Sequence, residues 1–446
     1  MKSSLVTAMK VNVIGAGLAG CEAAWQLAKA GIETDLYEMK PKKYSPAHKY
    51  QGFAELVCSN SLKADRIDSA AGMLKQEMRM LGSLTMECAE LSKVSAGGAL
   101  AVDRKKFSDL VTEKIRSCEL INVVEQEVEE VPDGYTIIAT GPLTSESLAE
   151  SIKAVCGEYL YFHDAAAPIV TYESLDKEKV FFASRYGKGE ADYINCPMNK
   201  EEYECFYDAL VNAESAPLHE FDKEHFKKDG FKVYEGCMPI EVLAKRGADT
   251  MRFGPLKPVG LVDPRTDRRP YAVVQLRAEN SGGTMYNLVG FQTNLKFGEQ
   301  KRVFSLIPGL ENADFVRYGV MHRNTFINSP KLLDERFCMR NNDKLWFAGQ
   351  ITGVEGYIES AASGIFAGLS LARKLQGKQE IALPVTTMLG SLCAYVSDET
   401  VEKFQPMGCN MGILPELSER IRDKKLKYMT LAQRGLSDLE ELIKTL

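Results

Sequence analysis

An apolar strand from Val11 to Ile14 runs into Gly15, Ala16, Gly17, Leu18, Ala19 and Gly20, and an acidic residue, Glu38, follows 18 positions after the last glycine. No other feature of the chain constrains its fold as much. Gly15 permits a tight turn out of the strand, Gly17 lets the backbone approach a pyrophosphate, and Gly20 lets the next helix pack close to the sheet. The N-terminus of that helix then offers free N–H groups and the positive end of its dipole to the phosphates. The helix reads as small and apolar through Cys21, Ala23, Ala24, Leu27 and Ala28, and residues 33–38 read as a second strand ending in Glu38. A carboxylate there accepts hydrogen bonds from a ribose diol and disfavours a 2′-phosphate, so the nucleotide expected at this turn is not NADP.

Two distant segments read as parts of the same unit. Residues 135–141 form a short apolar strand ending in a glycine turn, and residues 344–349 form another, followed by Gln350, Gly353, Gly356, Tyr357 and a helix with Ala361, Ala362, Gly364, Ala367 and Gly368. A lone NAD site has no use for a second glycine loop. FAD does, because it stretches from the first turn to a loop that meets its ribityl chain and isoalloxazine ring, which assigns Gly349, Gln350, Gly353 and Gly356 to the cofactor. Between these pieces, residues 167–172, 180–183, 192–195, 272–276 and 286–291 read as strands by their β-branched and aromatic content. The expected class is α/β, an FAD-binding Rossmann-like domain of the glutathione-reductase type. It comprises residues 9–145 and 326–446 and is interrupted by an α+β substrate domain, residues 146–325. After Val396 the chain reads as mostly helical, above all over residues 414–446.

Composition narrows the surroundings. A chain of 446 residues with 45% hydrophobic and 26% charged content is an ordinary globular protein of two or three domains. It has no apolar run of the roughly 20 residues a membrane helix needs. The first ten residues are too short in apolar content for a secretory signal, and Met9 is a candidate start behind an extension. Eleven cysteines are scattered singly, an odd number without a Cys-x-x-Cys pair. Such thiols fit a reducing cytoplasm and argue against a zinc or iron–sulfur site. The net charge of −6 speaks against a nucleic-acid partner, yet residues 245–277 carry eight Lys or Arg against three Asp, and a second basic run covers residues 420–427. A charge run is most often a solvated face; the sharper reading is a footprint for a phosphate backbone. Nothing points to a stable protein partner.

Several longer motifs carry a resemblance. Cys58 to Asp65, residues 234–241 around Cys237, residues 252–260, residues 318–324 and residues 347–360 together resemble the TrmFO family, the folate- and FAD-dependent tRNA (uracil-5-)-methyltransferases. The likeness extends from Val11 to residues 408–412. It implies an enzyme that forms 5-methyluridine at the T-loop uridine (position 54) of tRNA. The carbon comes from 5,10-methylenetetrahydrofolate, the electrons from reduced FAD, and NADPH or NADH reloads the flavin.

The residues are consistent with that chemistry. C5 of uracil is a poor nucleophile, and a thiolate added at C6 converts the ring to an enolate that attacks an electrophilic carbon. The resemblance makes Cys237, just ahead of the basic window, that nucleophile. It makes Cys58 a second catalytic thiol beside the isoalloxazine, with its role as base, flavin adduct or gate left open. It places His322 on the folate with Arg323 and Tyr357 near it. Lys245, Arg246, Arg265, Arg268 and Arg269 are the candidate phosphate contacts. Three other readings compete. The GidA-type wobble-uridine enzymes share the glycine turn and the 347–350 segment but carry a long further helical region, for which about 85 residues after Ser360 are too few. The others are a generic FAD oxidoreductase and a flavin-stabilised RNA scaffold without catalysis.

Overall fold

The computed structural model describes residues 10–157, 159–165, 167–187, 191–216, 238–278, 283–319, 321–401, 404 and 406–445, with backbone alone for 159–165, 316–317 and 321–324. Residues 1–9, Met9 included, lie outside that set.

Val11–Ile14 is the centre of a six-stranded sheet. Thr34–Glu38 and Thr136–Ile138 flank it in parallel, Ile121–Glu125 and Asn342–Phe347 extend it in parallel, and Cys338–Met339 closes one edge antiparallel. Val11, Val13, Ile137, Ile138 and Phe347 are all without solvent exposure. That is the signature of a parallel sheet covered on both faces, and it explains why these strands are continuously apolar. The helices Leu18–Lys29 and Tyr357–Leu375 cover one another on this sheet. Their contact is nearly backbone on backbone. A Cβ on Gly364 would lie 2.7 Å from the Ala19 carbonyl carbon, and one on Gly368 would lie 2.7 Å from the Ala23 oxygen.

A small antiparallel sheet of Ser61–Ala64, Ala99–Val102 and Lys93–Val94 adjoins this core. Lys75, on the helix Ala70–Met80, is fully buried and donates to the carbonyls of Leu62 (2.9 Å), Lys63 (3.1 Å) and Ala64 (2.6 Å). It thereby holds the strand that follows Cys58.

A second core surrounds a six-stranded antiparallel sheet of Phe181–Phe182, Tyr193–Met198, Ala272–Ala278, Met285–Leu288, Ile169–Thr171 and Phe315–Arg317, in that order. Ala272–Ala278 is buried along its whole length. The chain leaves for this sheet through Tyr159–Ala165 and returns through Met321–Ile327, and these two strands pair antiparallel. The helix Glu146–Cys156 packs Leu148, Ile152 and Cys156 into the first core, while the second core begins at Ala167. The apolar face of that helix therefore belongs with the nucleotide-type sheet, and the crossing between cores comes after it. Near the C-terminus the long helix is Lys424–Ile443, capped by the Asp423 side chain, rather than a helix from 414. Among the described residues no helix is long and apolar enough to cross a membrane.

Candidate active site

The first glycine turn folds as its spacing predicts. Gly15 has φ +98°, and a Cβ there would meet the Ala139 carbonyl oxygen at 2.8 Å, so both conformation and space demand glycine. A Cβ on Gly20 would run into the Gly15 backbone, with the carbonyl carbon at 3.0 Å. Gly17 differs, because nothing lies within 4 Å of the position its Cβ would take. It is the N-cap of Leu18–Lys29, a helix with no side-chain cap and no acid in its first turn. An uncapped helix start beside open space is what an extended diphosphate needs. Glu38 is 7% exposed and accepts from the backbone N–H of Ala16 (2.9 Å) and of Lys40 (3.0 Å), which ties the end of the second strand to the turn.

A single cleft joins these groups to the distant loop. Gly15, Ala16, Gly17, Leu18, Ala19 and Glu38 line it together with residues 139–145, Val57, Gly349, Gln350, Tyr357 and Ser360. The residues present thus fit a dinucleotide-length cofactor running from the turn to the second loop. Gly20, Gly353 and Gly356 do not line the cleft. Gly353 (φ +83°) turns the chain under the Phe404 ring, and Gly356 (φ +121°) starts the Tyr357–Leu375 helix where a Cβ would press on Lys63 Nζ at 2.7 Å. Both glycines therefore shape the loop.

Tyr357, which lines the cleft, meets Cys58. The tyrosine oxygen accepts from the backbone N–H of Cys58 (2.8 Å) and of Ser59 (3.3 Å) and lies 2.9 Å from Cys58 Sγ. Two N–H donors fill the acceptor sites of a phenol, so its one proton points at the sulfur. Burial, then the neighbouring Cys58, pushes the Tyr357 hydroxyl well above its ordinary value, which keeps that proton in place. A hydrogen bond donated to sulfur favours the thiolate. Arg104 Nη1 supports the same loop by donating to the carbonyls of Leu56 (2.8 Å) and Val57 (3.1 Å). Burial pushes the thiols of Cys88, Cys156 and Cys338 up to about 12, and it raises those of Cys21, Cys196, Cys393 and Cys409 as well, as suits unreactive thiols.

Cys237 lies outside the described residues. His322 and Arg323 sit on the returning strand opposite Asp164 and His163; their side chains are outside the described set. The basic window divides. Lys245, Arg246, Arg265, Arg268 and Arg269 are all exposed, but Arg265 is also a bidentate partner of Asp263 (2.9 and 2.7 Å) and donates to the Glu178 carbonyl. Arg252 stacks 3.6 Å from the Tyr271 ring centroid and donates to the Tyr271 carbonyl. Arg277 is 7% exposed and donates to Asn60 and Ser59. Sequence reasoning missed Arg104 as part of the site, placed Asn60 only in the polar stretch after Cys58, and counted Arg277 only within the basic window. Nothing in their local sequence signals contacts to residues 47 or 217 positions away. Among the described residues no group of three or more His, Cys, Asp or Glu is placed to hold a metal ion.

Comparison with known proteins is consistent with this geometry. The family model for glucose inhibited division protein A matches residues 10–379. The methylenetetrahydrofolate--tRNA-(uracil-5-)-methyltransferase TrmFO of Acetivibrio thermocellus is 60% identical over 97% of this chain and 98% of its own length. That of Brevibacillus brevis is 58% identical over 96% of this chain and 97% of its own. The solved structure of Aquifex aeolicus GidA superposes with a TM-score of 0.68 over 99% of this chain and 76% of that one; at 17% identity this likeness speaks for the fold alone. Near-complete coverage by such relatives at this identity means that the chain belongs to the GidA family and, within it, to the TrmFO methyltransferases.

Proposed function

We propose that this enzyme transfers a one-carbon unit from 5,10-methylenetetrahydrofolate to C5 of the T-loop uridine of tRNA, with FAD as the bound redox cofactor and NADPH or NADH as the source of its electrons, in the cytoplasm. The observation that carries the reading is the cleft that joins a dinucleotide-binding turn to a second glycine loop and to Tyr357, whose oxygen lies 2.9 Å from Cys58 Sγ. FAD, when bound and reduced, supplies the electrons that take a methylene carbon to a methyl group. Gly15 to Ala19 and Glu38 hold its nucleotide half, and Gly349 and Gln350 approach its other half. Tyr357, at the cleft wall, keeps a proton directed at Cys58 Sγ, 2.9 Å away, so that a negative charge developing on that sulfur meets a donor.

In this reading Cys237 is the residue that adds to C6 of the uracil: its S–C6 bond forms as the C5–C6 π pair moves onto the carbonyl, and the bond breaks again when the product is released. His322, Arg323 and Tyr357 border the folate, and Lys245, Arg246, Arg268 and Arg269 meet the phosphates. Arg265 has a weaker claim because its fork is already filled by Asp263. The first core, which includes the helix Glu146–Cys156, serves the flavin, and the second core, which begins at Ala167, serves the RNA.

The test is direct. Purified protein is mixed with an unmodified tRNA transcript, methylenetetrahydrofolate and NADPH, and the digested nucleosides are analysed. Ribothymidine is the expected product, and its absence while the flavin is being reduced rejects the transferase assignment. Cys237→Ala should abolish the product, and a flavin reoxidation rate indifferent to tRNA would favour a generic oxidoreductase.

A further inference from the structure

We propose that Arg277 and Asn60 form a clasp that positions the Cys58 thiol, so that the second sheet, and not the flavin-side core alone, sets the reactivity of this cysteine. The inference rests on the reading of Cys58 as a working thiol. Asn60 has no solvent exposure and uses its whole amide: Oδ1 accepts from Arg277 Nε at 2.9 Å, while Nδ2 donates to the carbonyls of Ala278 (2.6 Å) and Val102 (3.2 Å). Arg277 Nη2 donates to Ser59 Oγ at 2.6 Å. One planar guanidinium therefore grips two adjacent residues of the loop at fixed angles.

Ser59 is gripped from both sides. Its backbone N–H donates to Tyr357 Oη, on the helix beside the cleft, and its hydroxyl oxygen accepts from Arg277, at the end of the strand Ala272–Ala278. Residues 58–60 are thus strung between two elements that belong to different cores. Mere attachment does not call for a charge here, because burying a guanidinium costs free energy that a neutral apolar contact does not. What the fork adds is direction. The Tyr357 O–H reaches Cys58 Sγ only while the 58–59 backbone presents both N–H groups to the same oxygen, and the clasp keeps the next two residues from rotating away. Arg277 and Asn60 are positioning residues, acting on the sulfur through Tyr357.

The experiment measures iodoacetamide alkylation of Cys58 in the FAD-bound enzyme across pH, read on the Cys58 peptide by mass spectrometry. Tyr357→Phe removes the donor and is expected to raise the alkylation midpoint by about one pH unit, the size expected of one hydrogen bond to a charged sulfur. Arg277→Lys, which retains charge but loses the fork, and Ser59→Ala, which removes one arm on a half-buried residue, are each expected to raise it by part of that amount. Because Arg277 acts through Tyr357, the double variant Arg277→Lys/Tyr357→Phe is expected to shift no further than Tyr357→Phe alone. Wild-type midpoints in both Arg277→Lys and Ser59→Ala overturn the clasp, and so does a double variant whose shifts add. If Arg277→Lys fails to accumulate as folded protein, Ser59→Ala decides the matter. Alkylation reads the thiol whatever reaction it serves, so missing ribothymidine with intact midpoint shifts counts against the proposed function and leaves the clasp standing.

Discussion

Replacing Gly364 by Ala tests whether the two glycine-bearing halves of the flavin site are joined through a backbone contact. The added Cβ would lie 2.7 Å from both the carbonyl carbon and the Cα of Ala19, against an ordinary contact distance of at least 3.4 Å, so the helices must separate by 0.7 Å or more. Both surfaces are main chain, and no rotamer change can make room. Overpacking of this kind costs about 1–3 kcal/mol, and the upper half of that range applies where neither wall yields. The gain from replacing Gly by Ala in a helix interior offsets about 1 kcal/mol. The net loss expected is thus about 1–2 kcal/mol. Ala19 lies in the first turn of the helix that faces the cleft, so the same displacement moves the diphosphate site and should weaken flavin binding. Gly17→Ala is the complementary variant. Its Cβ meets nothing within 4 Å but enters the space the cofactor needs, so flavin affinity should fall while the stability of the stripped protein changes by no more than about 0.5 kcal/mol. Urea unfolding and flavin fluorescence titration measure the two effects separately. A Gly364→Ala protein as stable as wild type, or a Gly17→Ala protein with unchanged flavin affinity, refutes the reasoning.

Other residues give sharper or simpler outcomes. Burial pushes the Glu77 carboxyl from an ordinary 4.5 up to about 8, against the two backbone N–H groups of Met388 and Leu389 that it accepts. The folded state therefore holds that proton more tightly than the unfolded chain, and the associated stability, complete below 4.5, is lost as pH rises through about 8. Urea midpoints measured across that window should fall with pH in the wild type and flatten in Glu77→Gln. Lys75→Met leaves the carbonyls of Leu62, Lys63 and Ala64 without their donor and should cost about 3 kcal/mol in the same assay; a loss under 1 kcal/mol would show that water replaces the ammonium. Arg268→Ala and Arg269→Ala should each weaken tRNA binding and flatten the slope of log affinity against log salt by about 0.7–0.9, whereas Arg265→Ala, which breaks a pair with Asp263, should lower thermal stability and leave the salt slope nearly unchanged.

How far the sequence can be read follows from the range of each interaction. The turn at Gly15 to Gly20 is local: the positive φ of Gly15 and the crowding at Gly20 both arise within a few residues or against the adjacent strand, so spacing alone predicts them. The strands Ile121–Glu125, Lys93–Val94 and Phe315–Arg317 were not anticipated, being short, partly charged and defined by the partners they reach. The β-branched and aromatic content of residues 286–291 predicts a strand over that whole span, but the pairing ends at Leu288, and Gly290, with φ +79°, turns the chain away. The basic window shows the limit for the site. Composition counts Arg265, Arg252 and Arg277 with Arg268, yet Asp263 already fills the fork of Arg265, Arg252 lies over the Tyr271 ring, and Arg277 is turned inward to Asn60.

Sequence alone therefore determined the dinucleotide turn, the acidic end of the second strand, the second glycine loop and the motifs that mark the family, because each is a short pattern imposed by φ/ψ limits, helix ends or side-chain alternation. Only the tertiary structure decided that Tyr357 would rest on a thiol 299 positions away, and that Arg277 would leave the surface to hold the loop beside it. Those contacts depend on how two sheets and two glycine-faced helices close upon each other, and no local propensity encodes that closure.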